Sequence, residues 1–62
     1  MIGQNIKKLR IEHELTLRDL GKSIGVNYSS ICRWENGEQE PRAKYRRKIA
    51  ELFNIREIDL WK

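Results

Sequence analysis

The chain has 62 residues, enough for one domain with a small core, and carries 13 Lys and Arg residues against 9 Asp and Glu residues. The net charge of +4 favours a polyanionic partner, but many basic small domains bind nothing acidic, so charge alone does not decide for nucleic acid. The single cysteine, Cys32, excludes an intrachain disulfide and a cysteine-rich zinc site. No apolar run exceeds two residues, so we expect a cytoplasmic protein without a leader or a membrane span.

The opening of the chain predicts an amphipathic helix over about residues 3 to 13. Its apolar stripe recurs at helical spacing with charged residues between, at Ile2, Ile6, Leu9 and His13. His13 is the only histidine and has no second ligand at metal spacing, so we expect it at the surface or at the helix end.

Two further helices are marked by signals at their ends. Thr16, followed three residues later by an aspartate, predicts a capping box that opens a second helix over Leu17–Ile24. Gly25 can take the left-handed conformation that ends a helix, and Asn27 is a favourable N-cap for a third helix over Tyr28–Glu35. Only about three residues join the two, so they should cross steeply, as in a helix-turn-helix.

The remainder predicts two more helices. After a turn at Asn36-Gly37, Pro41 suits the first turn of a fourth helix, which Asn54 can end in a left-handed conformation. The apolar face of this helix is Tyr45, Ile49, Leu52 and Phe53. A short fifth helix is supplied by Ile55, Ile58, Leu60 and Trp61. No strand pattern or repeat is present, so residues 1–62 predict a single all-α domain of five short helices.

The second and third helices divide into an apolar and a polar face. The inner faces are predicted to contain Leu20, Ile24, Val26, Ile31 and Trp34, and the small Gly21 allows a close approach. What remains outward on the third helix is Tyr28, Ser29, Cys32 and Arg33, with Asn27 and Ser30 at the edge. A protruding helix fits the major groove of DNA, and the guanidinium fork of Arg33 suits guanine. The polar face is therefore interpreted as a DNA-reading surface.

In these segments the chain resembles the Cro and phage-repressor type of helix-turn-helix family, often called Xre-like, over nearly its whole length. The resemblance is carried by "IGQNIKKLR", "TLRDLGKSIGV", "ICRWENG" and Pro41. It implies a transcriptional regulator that binds double-stranded DNA. Trp34 and Trp61 fall in apolar helical registers, which favours packing over stacking on bases.

The resemblance also implies roles for individual residues. Base-reading positions fall on Tyr28, Ser29 and Arg33. Positions that contact the DNA backbone fall on Thr16, Asn27, Ser30, Asn36 and Arg42. Lys44 is added to the backbone set from its charge and location alone. Arg10 and Glu35 are implied to form a structural pair that ties the reading helix to the first helix.

The sequence departs from the family pattern at a few positions. Leu17 replaces a common glutamine, so a backbone contact there is predicted to be absent. Glu14 occupies a usual glycine position after the first helix and should be strained if its backbone is left-handed. Glu38 and Glu40 place acid in a loop that is often basic, which disfavours phosphate binding nearby.

Two functions remain open at this point. The first is a repressor-like regulator that binds a palindromic operator as a homodimer, with Ile58, Leu60 and Trp61 either between copies or buried within one. The second is a protein-interaction or antitoxin-like module on the same fold. An enzyme is disfavoured because one histidine, one cysteine and no paired acid and base supply no general base or nucleophile, and no metal or cofactor is predicted. The chain is either complete or the amino-terminal domain of a longer regulator.

Overall fold

The computed structural model describes residues 1–62 as four α-helices followed by one 3₁₀ helix, with no strand. The elements are α1 (Ile2–Glu12), α2 (Leu17–Ile24), α3 (Tyr28–Glu35), α4 (Ala43–Phe53) and the 3₁₀ helix (Glu57–Trp61). The predicted all-helical class is confirmed, and so are the bounds of α2 and α3. The predicted count of five short helices is too high by one α-helix, because the fifth element is a 3₁₀ helix of only five residues, and 3₁₀ geometry is used in such short pieces. None of the helices combines the length and the apolar content needed to cross a membrane.

The ends of α2 are held by the predicted capping groups. The Thr16 hydroxyl accepts a hydrogen bond from the Asp19 N–H at 3.0 Å, and the Thr16 N–H donates to the Asp19 carboxylate at 3.0 Å. Hydrogen bonds from the backbone and then the side chain of Thr16 lower the pKa of Asp19. The cap therefore stabilises the fold fully above the ordinary aspartate pKa and weakens as the pH falls through the lowered value. At the other end, Gly25 is left-handed with φ of 77°.

The core collects buried side chains from all five elements. Its members are Ile2, Ile6, Leu20, Ile24, Ile31, Trp34, Ile49, Phe53 and Leu60. Val26 is only half-buried, and Leu17, where the family often has a glutamine, packs against the core. Leu52, predicted on the apolar face of α4, is 42% exposed instead. The buried stripe of α4 is centred between Ile49, Ala50 and Phe53, which leaves Leu52 at its edge.

The position of Pro41 also differs from the prediction. Pro41 precedes α4 rather than forming its first turn; it is buried, and its carbonyl accepts a hydrogen bond from Arg46 at 2.7 Å.

Leu60 is fully buried in its own monomer, so it is not available for contact between copies. Ile58 and Trp61 remain exposed by 58% and 42%. Residues three apart lie on one side of a 3₁₀ helix, so these two side chains share a face.

Glu14 has a left-handed backbone with φ of 57°, and the Leu15 N–H closes α1 by donating to the Arg10 carbonyl at 3.0 Å. We expect Glu14→Gly to raise the free energy of unfolding by about 0.5 to 1 kcal/mol, because glycine has no β-carbon to clash in this region. Urea unfolding measures the change. Asn54→Gly, at a second residue with φ of 57°, is the control and should gain less, because asparagine tolerates this conformation. A loss of stability in Glu14→Gly would show that the left-handed backbone at Glu14 is not strained.

Candidate nucleic-acid interface

Helix α3 and the turn before it pack against α1 and α2 through two close backbone approaches. A β-carbon added to the buried Gly21 of α2 would lie 2.6 Å from the Val26 carbonyl oxygen. One added to the buried Gly3 of α1 would lie 1.9 Å from the Trp34 carbonyl oxygen. Both distances are below van der Waals contact, so only glycine lets the helices come this close. Ile31 and Trp34 fill the core beneath, and the opposite face of α3 is left to solvent.

Arg10 of α1 and Glu35 of α3 form a two-bond ion pair. The Arg10 Nε and Nη2 groups donate to the two Glu35 carboxylate oxygens at 2.7 and 3.1 Å, and Nη1 donates to the Leu15 carbonyl at 2.8 Å. The two side chains are only 13% and 6% exposed. The hydrogen bonds to Glu35 raise the pKa of Arg10, against the opposite effect of burial. The Arg10 guanidinium therefore stays charged, and its two hydrogen bonds to Glu35 tie the end of α3 to α1.

The three candidate base-reading residues lie on the outer part of α3. Tyr28 and Arg33 are exposed, and Ser29 is half-buried. Ser29 and Arg33 are four residues apart and so are neighbours on the helix surface. The Ser29 hydroxyl donates to the Asn27 carboxamide oxygen at 3.1 Å, which leaves its lone pairs to accept. No hydrogen bond or ion pair engages the Arg33 side chain, so its donors are available to a ligand.

The candidate backbone-contacting residues are Thr16, Asn27, Ser30, Asn36, Arg42 and Lys44. Thr16 and Asn27 use only their oxygens for capping, so the Thr16 hydroxyl hydrogen and the Asn27 amide hydrogens remain free to donate. Lys44 is exposed, with its ammonium 5.2 Å from the centre of the Tyr45 ring. These three side chains can each offer a donor to a phosphate.

The other three backbone candidates lie close to acidic groups. The Asn36 amide donates to the Glu38 carboxylate at 3.4 Å. Ser30 and Arg42 line one cleft together with Glu40. A carboxylate beside a donor repels phosphate, so these three residues are less favourable phosphate contacts than Asn27 and Lys44. The Asp19 carboxylate acts in the same way beside Thr16.

Five of the nine basic residues without an ion pair lie on α2, on α3 or at the start of α4. Four of the basic residues are held in ion pairs: Arg10, Arg46, Arg56 and Lys62. Exposed cations without such a partner on α2, α3 and the start of α4 are Arg18, Lys22, Arg33, Arg42 and Lys44. Arg18 and Lys22 are absent from the sequence-based site. The sequence does contain a signal that could have identified them, because they are two cations four residues apart on α2, away from its apolar stripe.

Other reactive residue types do not assemble into a centre. Cys32 is half-buried, and its nearest polar contact is the Asn36 amide at 3.6 Å. His13 is exposed at the end of α1, with Nδ1 2.8 Å from the Leu9 carbonyl and its ring 4.6 Å from that of Phe53. No group of three or more His, Cys, Asp or Glu side chains is arranged to hold a metal ion.

Two crossed short helices around a left-handed glycine, the second with a polar outer face flanked by free cations, define a helix-turn-helix DNA-binding domain. The model of the helix-turn-helix family matches residues 6–60, and the chain belongs to this family. Helix-turn-helix domains of this kind bind DNA by placing the second helix of the motif in the major groove.

Similar curated proteins come from bacteria and archaea. The antitoxin PezA of Streptococcus pneumoniae is 35% identical over 60 residues, which cover 97% of this chain and 38% of that protein. The uncharacterised HTH-type transcriptional regulator MJ0272 of Methanocaldococcus jannaschii is 36% identical over 56 residues, or 90% of this chain and 85% of that protein. An uncharacterised HTH-type transcriptional regulator of Archaeoglobus fulgidus is 34% identical over 56 residues, which cover 90% of this chain and 80% of that protein. The chain thus spans well under half of the first relative. No solved structure matches it significantly.

Proposed function

We propose that the domain represses transcription by placing α3 in the major groove of a specific operator. Tyr28, Ser29 and Arg33 read base edges there, with the Arg33 fork on the N7 and O6 of guanine. The observation that carries the proposal is the outer face of α3, where Arg33 makes no hydrogen bond or ion pair within the chain. Because its proposed partner is operator DNA, we place the protein in the cytoplasm.

Phosphates on either side of the groove are held by the flanking residues. The proposed contacts are Thr16, Asn27, Ser30, Asn36, Arg42 and Lys44. The free donors of Thr16 and Asn27 and the unpaired charge of Lys44 support them most directly. The acidic neighbours of Asn36 and Arg42 favour a narrower footprint centred on the start of α3.

Two copies bind one palindromic site in this proposal. A single module of this kind buries only about 600 to 1,000 Å² on DNA, which is little for tight specific binding. The shared face of Ile58 and Trp61 is apolar and exposed, and it supports contact between copies. The two half-sites should lie about one helical turn apart.

Arg33→Ala should reduce discrimination between the preferred duplex and a single-mismatch duplex by roughly 1 to 3 kcal/mol, since one bidentate contact to guanine is lost. The preference should relax at one base pair in each half-site. Lys44→Ala is the matched control: it also removes one charge, but it should weaken all sequences alike and flatten the salt dependence by about one phosphate contact. Titrations of both variants at two salt concentrations separate the roles. Equal weakening on every sequence in Arg33→Ala would make Arg33 a phosphate anchor instead.

Selection of preferred sites from a random duplex pool tests specificity and symmetry together. We expect a repeated half-site and two copies per duplex. Ile58→Glu should weaken binding to the full site but not to an isolated half-site, because it places a charge in the contact between copies. Ile11→Glu, on a residue 56% exposed on α1, is the control and should leave both unchanged. One copy on every selected site, without a repeat, would contradict the dimer.

A second candidate function is an antitoxin-like module that binds a protein partner. The 35% identity to the antitoxin PezA favours it specifically. Operator binding should show a preferred sequence and a steep fall of affinity with salt, whereas a protein-binding module would show weak DNA binding without sequence preference. The DNA titrations above therefore distinguish the two functions.

A further inference from the structure

Arg18 lies over the ring of Tyr28. The guanidinium carbon is 4.4 Å from the ring centre, which is within the range of a cation–π contact. No carboxylate pairs with Arg18, and no hydrogen bond within the chain engages its N–H groups. The neighbouring Asp19 is turned to the Thr16 N–H as part of the cap. Arg18 is therefore a cation whose one specific partner is a proposed base-reading side chain.

The contact depends on how α2 and α3 cross. Gly21 allows α2 to approach the Val26 carbonyl, and this brings the first turn of α2 beside the first residue of α3. Arg18 and Tyr28 then line the same open groove of about 680 Å³. Lys22 lies in this groove as well, and Thr16 and Asn27 border it with free donors.

We propose that Arg18 is a positioning residue that fixes the Tyr28 ring for base contact and so helps to determine the preferred sequence. This inference rests on the proposed function. A tyrosine at the first, exposed position of a helix has several accessible rotamers, and ordering it on binding opposes association. A cation over the ring selects one rotamer beforehand. The contact uses the face of the guanidinium, so its N–H edge remains available to a phosphate, and desolvation at the DNA surface strengthens the cation–π contact.

The test is a double-variant cycle on DNA. Arg18→Ala, Tyr28→Ala and the double variant are titrated with the selected duplex and with duplexes mismatched singly at each position. Arg18→Ala should reduce discrimination by about two- to fivefold, the size of an exposed cation–π contact, at the same base pair as Tyr28→Ala. The double variant should lose no more discrimination than Tyr28→Ala loses alone, because Arg18 acts through the Tyr28 ring. Additive losses, or losses at different base pairs, would overturn the proposal.

Two further variants separate positioning from charge. Arg18→Lys keeps the charge without the flat guanidinium, so it should restore the parent's salt dependence while its base preference stays relaxed. Because a lysine ammonium can also lie over an aromatic ring, a restored preference is checked in the Tyr28→Ala background. If Arg18→Lys raises the preference above that of Arg18→Ala even with Tyr28→Ala present, charge alone suffices and the role of the ring contact is overturned. Lys22→Ala removes a cation from the same groove that has no ring partner, and it should weaken all sequences equally.

Failure of this inference is distinct from failure of the proposed function. If the parent selects a preferred site and Arg18→Ala keeps full discrimination, only the positioning role is wrong. If the parent shows no preferred site, the proposed function is wrong and the positioning role falls with it.

Discussion

Replacing Glu35 by alanine is expected to lower the free energy of unfolding by about 3 kcal/mol, because removal of one partner leaves the other charge buried without compensation. Arg10 would keep only its hydrogen bond to the Leu15 carbonyl. The Arg10 side chain is 13% exposed, so water replaces the lost carboxylate only in part, and we place the cost at the lower end of the range for buried pairs. A domain of this size has about 3 to 9 kcal/mol of stability in total, so much of it would be lost.

Denaturant unfolding followed by tryptophan fluorescence measures this loss, since Trp34 lies in the core. Glu38→Ala is the control: it removes the same charge from an exposed loop residue and should change stability by no more than about 0.5 kcal/mol. The double variant Arg10→Met, Glu35→Leu should be much milder than Glu35→Ala, because no buried charge is left unpaired. If Glu35→Ala unfolds like the parent, the pair does not stabilise the domain.

Gly3→Ala is expected to destabilise the domain by about 3 kcal/mol, at the upper end of typical overpacking costs. The new β-carbon would lie 1.9 Å from the Trp34 carbonyl oxygen and 2.9 Å from the carbonyl carbon, and both are backbone atoms that cannot rotate away. α1 and α3 would have to separate, which also lengthens the Arg10–Glu35 pair that spans the same interface. The gain in helix propensity, about 1 kcal/mol, is too small to offset this.

Thermal and urea unfolding test the prediction, with Gln4→Ala as the control at the next, exposed residue of α1. Gln4→Ala should leave stability within about 0.5 kcal/mol of the parent. Operator affinity should fall in Gly3→Ala even where the variant is folded, because α3 no longer packs closely against α1. Unfolding of Gly3→Ala at the parent's midpoint would mean that the helices slide apart at little cost.

Helix ends and apolar stripes were predictable because they are local. The capping box at Thr16, the left-handed residues Gly25 and Asn54 and the N-cap at Asn27 each depend on groups within a few residues along the chain. The apolar spacing of α2 and α3 identified their buried faces for the same reason. The family and its DNA-binding function followed from segments that lie in order along the chain, and the base and phosphate contacts remain predictions.

Which apolar side chains at the carboxyl end are buried and which are exposed could be decided only from the tertiary structure. Ile58, Leu60 and Trp61 are all apolar and were predicted as one group, yet Leu60 is buried and the other two are exposed. A 3₁₀ helix of five residues is too short to reveal its buried side by periodicity. Its orientation is decided by packing against α1 and α4.

By itself, therefore, the sequence determined which residues form helices, where α2 and α3 end, which family the chain belongs to and which polar residues are candidates for the reading surface. Only the tertiary structure decided that Gly3 meets the Trp34 backbone and that Arg18 lies over Tyr28. The physical reason is the same in both cases. Contacts between different helices depend on how those helices cross and how closely they approach, and neighbouring residues along the chain carry little information about either.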